Sequence, residues 1–354
     1  MEHPRPRRAS VSIRTVAEAA GVSTATVSRV LSQADHPVTP ETRERVLEAA
    51  TRLKYRPSHV ARSLVTSRTR TVGAIVHDVA DPYFGEILRG LEDTCHVGGY
   101  QLVACSSDRD PGRELGYVEH LLSQRVDSIV LVGGGIEDDA YQDKLAALLD
   151  DYREHGGVVV LLAPNAYDAP SILSDNRAGS SAMTEYLIEL GHRRIGFVGG
   201  PPNVRTSAVR EDGYRHVMQH AGLFDPMLIE SGRFTMEGGA KATADLLEHH
   251  PDISAIFAVN DIMALGALKY LASVGVKVPD QVSVAGFDDI QIAEFVGPGL
   301  TTVAVGTFAL GQEGGRLVLR LLAGQSGRTT TLPAELVIRG STASPAANDP
   351  MAGG

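Results

Sequence analysis

With 354 residues the chain is too long for one average domain and can support two or three hydrophobic cores, in a composition ordinary for a globular protein. Its formal charge of −10 hides an asymmetry: residues 1–70 carry 13 Lys/Arg against 6 Asp/Glu, a net of +7, and the remainder carries 20 against 37, a net of −17. No run approaches the roughly 20 apolar residues of a membrane helix, Arg5, Arg7 and Arg8 lead into polar residues instead of an apolar signal core, and Cys95 and Cys105 are too few for a disulfide framework or metal spacing. A membrane, secreted or disulfide-stapled protein is therefore not expected. A cytoplasmic location, with both thiols as packing residues, is expected.

The basic end coincides with a folded pattern, which points to nucleic acid more than to a solvated tail. Ser12 can cap a helix in which Ile13, Val16, Ala17 and Ala20 share one face, and Gly21 ends it. Val22 is buried in the turn. Ser23 caps a second short helix with Val27, Val30 and Leu31 inward, which leaves Thr24, Ala25, Ser28 and Arg29 outward with Thr26 beside them. Residues this small let a helix sit deep in a major groove while the arginine reaches a guanine edge or a phosphate. Thr39, Pro40 and Glu41 start a third helix, whose Val46, Leu47, Ala50 and Leu53 close the small core of a three-helix bundle of about 45 residues. A small bundle for protein contacts would look similar, but it would not need an uncharged outer face in a basic segment. Pro57 then opens a stripe of Val60, Ala61 and Leu64, too short to hold as a free helix and expected to order when two copies meet on DNA.

Taken together, SIRTVAEAAGVSTATVSR over 12–29, VTPETRERV over 38–46 and YRPSHVARSL over 55–64 closely resemble the lac/gal repressor family. The resemblance implies that Thr24 and Ala25 read operator bases and that Leu64 is the leucine that wedges into a central minor-groove step. Ser12, Thr15, Ser23, Thr26, Ser28, Arg29, Tyr55, Ser58 and Ala61 complete the expected DNA-contacting set. The loop at Asp35, His36 and Pro37 looks longer than the family's.

From Thr71 the pattern changes to β-rich runs alternating with amphipathic stretches. Strands are predicted at Val72–Val76, Leu102–Cys105, Ile129–Val132 and Val158–Leu162, then near Ile195–Val198, Ala255–Val259 and Val282–Gly286. Two such series predict two similar parallel α/β lobes, a periplasmic-binding-protein-like body behind an all-α helix-turn-helix head. Ligands of such sheets lie beyond the carboxyl ends of strands. There stand Asp78, Asp81, Tyr83 and Phe84 after the first strand, Asn260 and Asp261 after another, and Phe287, Asp288 and Asp289 after the last. Asp81 and Asn260 also read as helix caps, and either ring could belong to a core.

By resemblance, PYF over 82–84, the RxxGY run from Arg210 to Tyr214, NDIMALGAL over 260–268 and GFDD over 286–289 build an effector pocket from Tyr83, Phe84, Thr206, Arg210, Asn260 and Asp288; Asp81 and Phe287 are added from their places at strand ends. Ring faces with Arg210 and Asp288 suit a sugar or a nucleoside-like ligand. Ala163–Pro164 stands where the family often has Asp-Arg, and Val305 where a polar residue is frequent, which counts against an ordinary hexose.

The family crosses between lobes at SDNRAG over 174–179, at PGLTTV over 298–303 and again near Gly324–Thr331, so a hinge three strands wide is expected. The expected organisation is a head at 1–56, a hinge helix and linker at 57–70, and a body at 71–340. Within the body the first lobe takes about 71–173 and 301–327 and the second about 174–300 and 328–340, with STASPAANDPMAGG over 341–354 disordered.

Chemistry other than binding finds little support. The glycine clusters Val132–Gly135 and Val198–Pro202 are neither GxGxxG nor a phosphate loop, His192 and His249–His250 lack metal-ligand partners, and no nucleophile elbow appears. A secreted sugar receptor would explain the lobes without the head, and a nucleoside or sugar hydrolase lacks an acid/base pair. The reading is a regulator, not an enzyme, without cofactor or metal, and a repressor by class. Its expected partners are a pseudo-palindromic duplex operator and a small effector, and it is expected to act as a homodimer, since the tail holds no leucine heptads for a tetramer.

Overall fold

The computed structural model describes residues 11–31, 38–55 and 68–345, and the chain divides into two units at Thr69 and Arg70. In the first unit, helices α1 (Ile13–Ala20), α2 (Thr24–Leu31) and α3 (Pro40–Arg52) surround one small core. Ser12 Oγ accepts the amide of Thr15 at 3.3 Å, and Gly21 leaves α1 in the left-handed conformation at φ 64°, so the first helix stops where the sequence predicts. Ser23 Oγ accepts the amide of Thr26, and Thr39 Oγ1 that of Thr42, starting α2 and α3.

The core joins Val16, Ala17 and Ala20 to Val27, Val30, Val46, Ala49 and Ala50, with Leu31, Leu53 and Tyr55 at its margin. Leu47, expected inside, is 46% exposed. Val46, Ala49, Ala50 and Leu53 are spaced i, i+3, i+4 and i+7, and Leu47 lies one residue, about 100° of rotation, off that stripe.

In the second unit each lobe is built by the same logic. The first sheet, ordered β2-β1-β3-β4, consists of β1 (Thr71–Val76), β2 (Gln101–Ser106), β3 (Ser128–Leu131) and β4 (Val158–Leu161). Its helices are α4 (Pro82–Val97), α5 (Pro111–Ser123) and α6 (Asp139–Glu154). Helix α7 (Asn176–Glu189) opens the second lobe, whose strands β6 (Ile195–Gly199), β7 (Ile229–Ser231), β8 (Ala255–Ala258) and β9 (Ser283–Ala285) repeat the order as β7-β6-β8-β9. Between those strands run α8 (Arg205–His220), α9 (Met236–His249) and α10 (Asp261–Ser273), and the one-turn α11 (Ile292–Phe295) comes after β9. All pairings in the two sheets are parallel, so every strand ends toward the same side of its lobe.

Short strands mark the passages between lobes. β5 (Ile172–Ser174) pairs in parallel with β11 (Thr330–Leu332) beside the first sheet, and β10 (Thr302–Ala304) pairs antiparallel with β12 (Glu335–Val337) beside the second. The first crossing comes after Ser174, as expected. The other two expectations need correction. Leu300, Val303 and Val305 belong to the second lobe's core, so the chain returns just before α12 (Thr307–Leu322) and not at 298–303. Leu332 packs on the first lobe's core and Leu336 on the second's, which moves the last crossing to between them.

Disorder expected from residue 341 is also overturned for 341–345. Ser341 Oγ donates to the carbonyl of Val284 at 2.5 Å and accepts the amide of Thr301 at 2.8 Å, while the amide of Ala343 donates to Ser283 Oγ at 3.1 Å. Side chain to backbone bonds supply what the Ala/Pro/Ser composition lacks in apolar surface. Cys95 is buried in the first lobe's core, where burial pushes its thiol up to about 11.

Helices α4 and α12 approach closely because glycines face backbone. A Cβ on Gly311 would collide with the carbonyl of Ile87, and one on Gly90 with that of Phe308. Neither backbone can step aside without losing helical hydrogen bonds. Gly311→Ala is therefore expected to destabilise the protein by about 1–3 kcal/mol in urea denaturation. The same change at Gly85 in α4, where a Cβ meets nothing, is expected to stabilise it by about 0.5–1 kcal/mol.

Candidate functional site

On the head, Thr24, Ala25, Ser28 and Arg29 stand exposed along one side of α2, with Thr26 half-buried; Ser23 is exposed just before α2, and Ser12 and Thr15 are exposed at the start of α1. Three small side chains and one guanidinium form a surface with little steric relief, of the kind a major groove accepts. Ser12 and Ser23 already cap helices through their hydroxyls, so each has a structural task as well. Tyr55, expected at DNA, packs half-buried against the head's core. Ser58, Ala61 and Leu64 lie outside the described residues.

In the body, one cavity lies where the strands of both lobes end. Each of the eight sheet strands sends a residue to it. From the first lobe come His77 after β1, Arg109 after β2, Val132 and Gly134 after β3, and Ala163 after β4. From the second come Thr206 and Arg210 on α8, which succeeds β6, then Phe234 after β7, Asn260 after β8 and Asp288 after β9. Asp81, Tyr83 and Phe84 reach it from the start of α4.

Seven of the eight expected effector residues thus meet in one place: Asp81, Tyr83, Phe84, Thr206, Arg210, Asn260 and Asp288. The exception is Phe287, which is fully buried in the second lobe's core with the Arg210 guanidinium carbon 3.9 Å from its ring centre. It backs the site instead of lining it. The cap and cleft readings of Asp81 and Asn260 coexist: Asp81 Oδ1 accepts the amide of Tyr83 at 3.0 Å and Asn260 Oδ1 that of Met263 at 3.0 Å, and both face the cavity. Tyr83 packs on the cores of both lobes.

Arg210 organises the second lobe's side. Its Nε donates to Asn176 Oδ1 at 2.8 Å, its Nη1 to the carbonyl of Val259 at 2.7 Å and its Nη2 to Asp288 Oδ1 at 2.7 Å. Asp288 is 5% exposed and holds φ at 114°, a conformation costly to a residue with a Cβ. Burial pushes its carboxyl up to about 7, with the Arg210 guanidinium pulling the other way. Behind it Asp261, also buried, accepts the amide of Ile290 and the hydroxyl of Thr302; burial raises its pKa well above the usual carboxylate range.

Three further residues at the cavity, His77, Arg109 and Phe234, carry no motif that marks them in the sequence. His77 stacks edge-on against Phe84, ring centres 5.8 Å apart, and burial, helped by the nearby Arg109 charge, holds its imidazole at about 3. Arg109 lies over the Phe234 ring, guanidinium carbon to centroid 4.8 Å. This contact spans the cleft, as do three others at the two glycine clusters. Arg205 donates its amide to Gly135 O at 3.0 Å, Glu137 its amide to Asn203 O at 2.8 Å, and Ile136 and Val204 form an antiparallel bridge. Gly134 has no room for a side chain, since a Cβ there would meet Thr206 Oγ1. Gly134 and Gly135 thus serve contact between the lobes. Among the described residues no three His, Cys, Asp or Glu side chains cluster to hold a metal ion, and no helix is long and apolar enough to cross a membrane.

A capped helix-turn-helix unit in the same chain as a two-lobed body with a polar cavity at its strand ends defines a DNA-binding regulator that responds to a small ligand. Comparison with known proteins agrees. Residues 12–58 match the model of bacterial regulatory proteins of the lacI family, and residues 184–342 that of the periplasmic binding protein-like domain. The HTH-type transcriptional repressor CytR of Escherichia coli K12 is 34% identical over 343 residues, 96% of this chain and 98% of that repressor. The lac repressor dimer bound to operator and the anti-inducer ONPF superposes with a TM-score of 0.84 at 28% identity, covering 94% of this chain and 99% of that one. The complex of the regulator CelR with cellobiose superposes at 0.68 and 31% identity over 94% of this chain and 99% of that one. The chain belongs to the lacI family, and it is a sequence-specific DNA-binding transcriptional regulator whose operator affinity is controlled by a small effector.

The buried neutral imidazole gives a pH test. With its pKa lowered from 6.5 to about 3 in the folded state, His77 binds a proton more readily in the unfolded chain, so folding stability falls as pH drops below 6.5 toward 3. Relative to His77→Gln, the wild type is expected to lose about 2 kcal/mol between about pH 7 and about pH 5, read from urea midpoints.

Proposed function

We propose that the chain is a cytoplasmic repressor that binds a pseudo-palindromic operator as a homodimer and releases or grips it according to a sugar or nucleoside-like effector in the cavity. The observation that carries this reading is the cavity itself. Two lobes bring aromatic rings (Tyr83, Phe84, Phe234) and hydrogen-bonding groups (Asn260, Thr206, Arg210 with Asp288) to one enclosed space, the combination that holds a flat polar ligand. The similarity to CelR, solved in complex with cellobiose, and to the lac repressor, solved as a dimer bound to operator, supports both halves.

In this reading each head lays α2 in a major-groove half-site, Thr24 and Ala25 at base edges and Arg29 at a guanine or phosphate. The segment holding Ser58, Ala61 and Leu64 serves the central minor groove. An effector acts by favouring one arrangement of the lobes, and it shifts operator occupancy only by its differential affinity for the two arrangements, typically about 1–3 kcal/mol.

The test is a mobility-shift measurement with duplexes selected from a random pool, with and without sugars and nucleosides that raise the melting temperature. Thr24→Ala is expected to weaken the selected duplex several-fold, about 1 kcal/mol, while leaving salt-dependent retention of random DNA in place. Arg210→Ala is expected to abolish the effector-dependent change. Failure to prefer any duplex, whatever small molecule is present, would overturn the proposal.

A further inference from the structure

The cavity holds two guanidinium groups in opposite circumstances. Arg210 brings its own counter-ion, Asp288 at 2.7 Å, and its Nε, Nη1 and Nη2 each donate a hydrogen bond inside the protein. Arg109 has neither. Among the described residues no carboxylate lies within the 4.0 Å of an ion pair with Arg109, and its Nε is buried without a hydrogen-bond partner.

The acids whose charge reaches Arg109 are Asp81, Asp78 and Asp108, and each is engaged elsewhere. Asp81 accepts the Tyr83 amide at 3.0 Å, Asp78 the Ala80 amide at 2.9 Å, and Asp108 pairs with Arg113 at 3.5 Å. Desolvation already lowers the Arg109 pKa, the sign of a cation held in the protein without enough stabilising partners.

The backbone shows that this placement is imposed. Asp108 and Arg109 both sit at φ 57°, two successive side-chain-bearing residues in the left-handed region, directly after β2. Such strain is maintained where the surroundings over-determine it, and here it carries the guanidinium into the cavity over Phe234. Across the same cavity α8 begins with Val204 at its N-cap and no side-chain cap, and Val204 and Thr206 line the space, so the positive end of a helix faces it as well.

We propose that Arg109 determines specificity in this site by selecting an effector whose sugar-like body carries an anionic oxygen group, either a carboxylate or a phosphate ester. This rests on the effector reading of the cavity given above. A planar guanidinium presents paired donors that match both oxyanions, and a ligand that supplies the missing counter-ion removes the cost of leaving this cation unpaired. His77, kept neutral beside it, adds no competing charge and still offers a ring nitrogen to a hydroxyl.

Matched probes test the idea on the full-length protein by thermal shift and calorimetry: glucose with glucuronate and with glucose phosphate, ribose with ribose phosphate, uridine with its monophosphate, and inorganic phosphate alone. In at least one pair the charged member is expected to bind roughly tenfold or more tightly than its neutral partner, with inorganic phosphate far weaker. The carboxylate and phosphate arms distinguish the two sources of charge. Arg109→Gln should bring the charged member down to the neutral partner's affinity, and Arg109→Lys should retain part of the preference.

Neutral members that bind as tightly as their charged partners in every pair that binds, or a preference that survives Arg109→Gln, overturn the role of Arg109 while leaving the effector cavity standing. Binding by none of the charged probes, or inorganic phosphate binding as tightly as any sugar phosphate, overturns the proposed ligand class. Failure of the cavity reading is read separately: a ligand whose affinity is untouched by Thr206→Trp, which fills the space, binds elsewhere.

Discussion

The buried guanidinium of Arg210 is the interaction on which the site depends. From one planar group it fixes the carbonyl at the end of β8, the carboxyl after β9 and the amide of Asn176 at the first crossing between lobes, while its face rests on Phe287. A charge so enclosed is tolerable only because every side of it is satisfied, and removing one partner of a buried pair costs about 3–5 kcal/mol. The energetic constraint is therefore also a geometric one. It sets Asp288 in a backbone conformation it would otherwise avoid and places it at the cavity wall.

Around this fixed corner the two lobes meet through contacts of a softer kind. Amide to carbonyl bonds join Arg205 to Gly135 and Glu137 to Asn203, and Arg109 lies on Phe234. Backbone bonds at the cleft edge exchange readily with water, so each contributes modestly to the net balance. A lobe arrangement held by a few such terms sits within the few kcal/mol that a bound small molecule can supply. The rigid part fixes the polar groups that face the cavity, and the soft part leaves the arrangement of the lobes adjustable.

Much of this was legible in the amino-acid sequence because local chemistry and tertiary structure agree. Ser12, Gly21, Ser23 and Thr39 with Pro40 delimit the head's helices by capping alone, and the seven predicted strands of the body appear within one residue at each end. Asp81, Asn260 and Asp288 stand out because polar residues right after β-rich runs are the ones a parallel sheet offers to a ligand. Arg109 comes after a strand too, but in the run Ser106–Asp110 it is one polar residue among several, and only the left-handed turn decides which of them points inward. Phe234 was hidden because β7 is three residues long and leaves no periodic trace. Phe287 was misassigned since adjacent residues at a strand end face opposite ways, and Leu47 because Val46 beside it already occupies the inward stripe. The order of residues 341–345 rests on hydroxyl to backbone bonds with partners roughly forty to sixty positions away, which no local pattern encodes.

That each of the eight parallel strands contributes to the binding space through residues just past its carboxyl end has a bearing on how such regulators diversify. The polar ones among those positions, such as Arg109, Asn260 and Asp288, lie outside the apolar cores that keep the lobes folded, so exchanging a side chain there re-tunes chemical preference with less disturbance to the sheets than at Val132 or Phe234, which pack with those cores. Gene duplication and then a handful of replacements at strand termini are enough to give one scaffold a new signal to sense, with the reading head untouched.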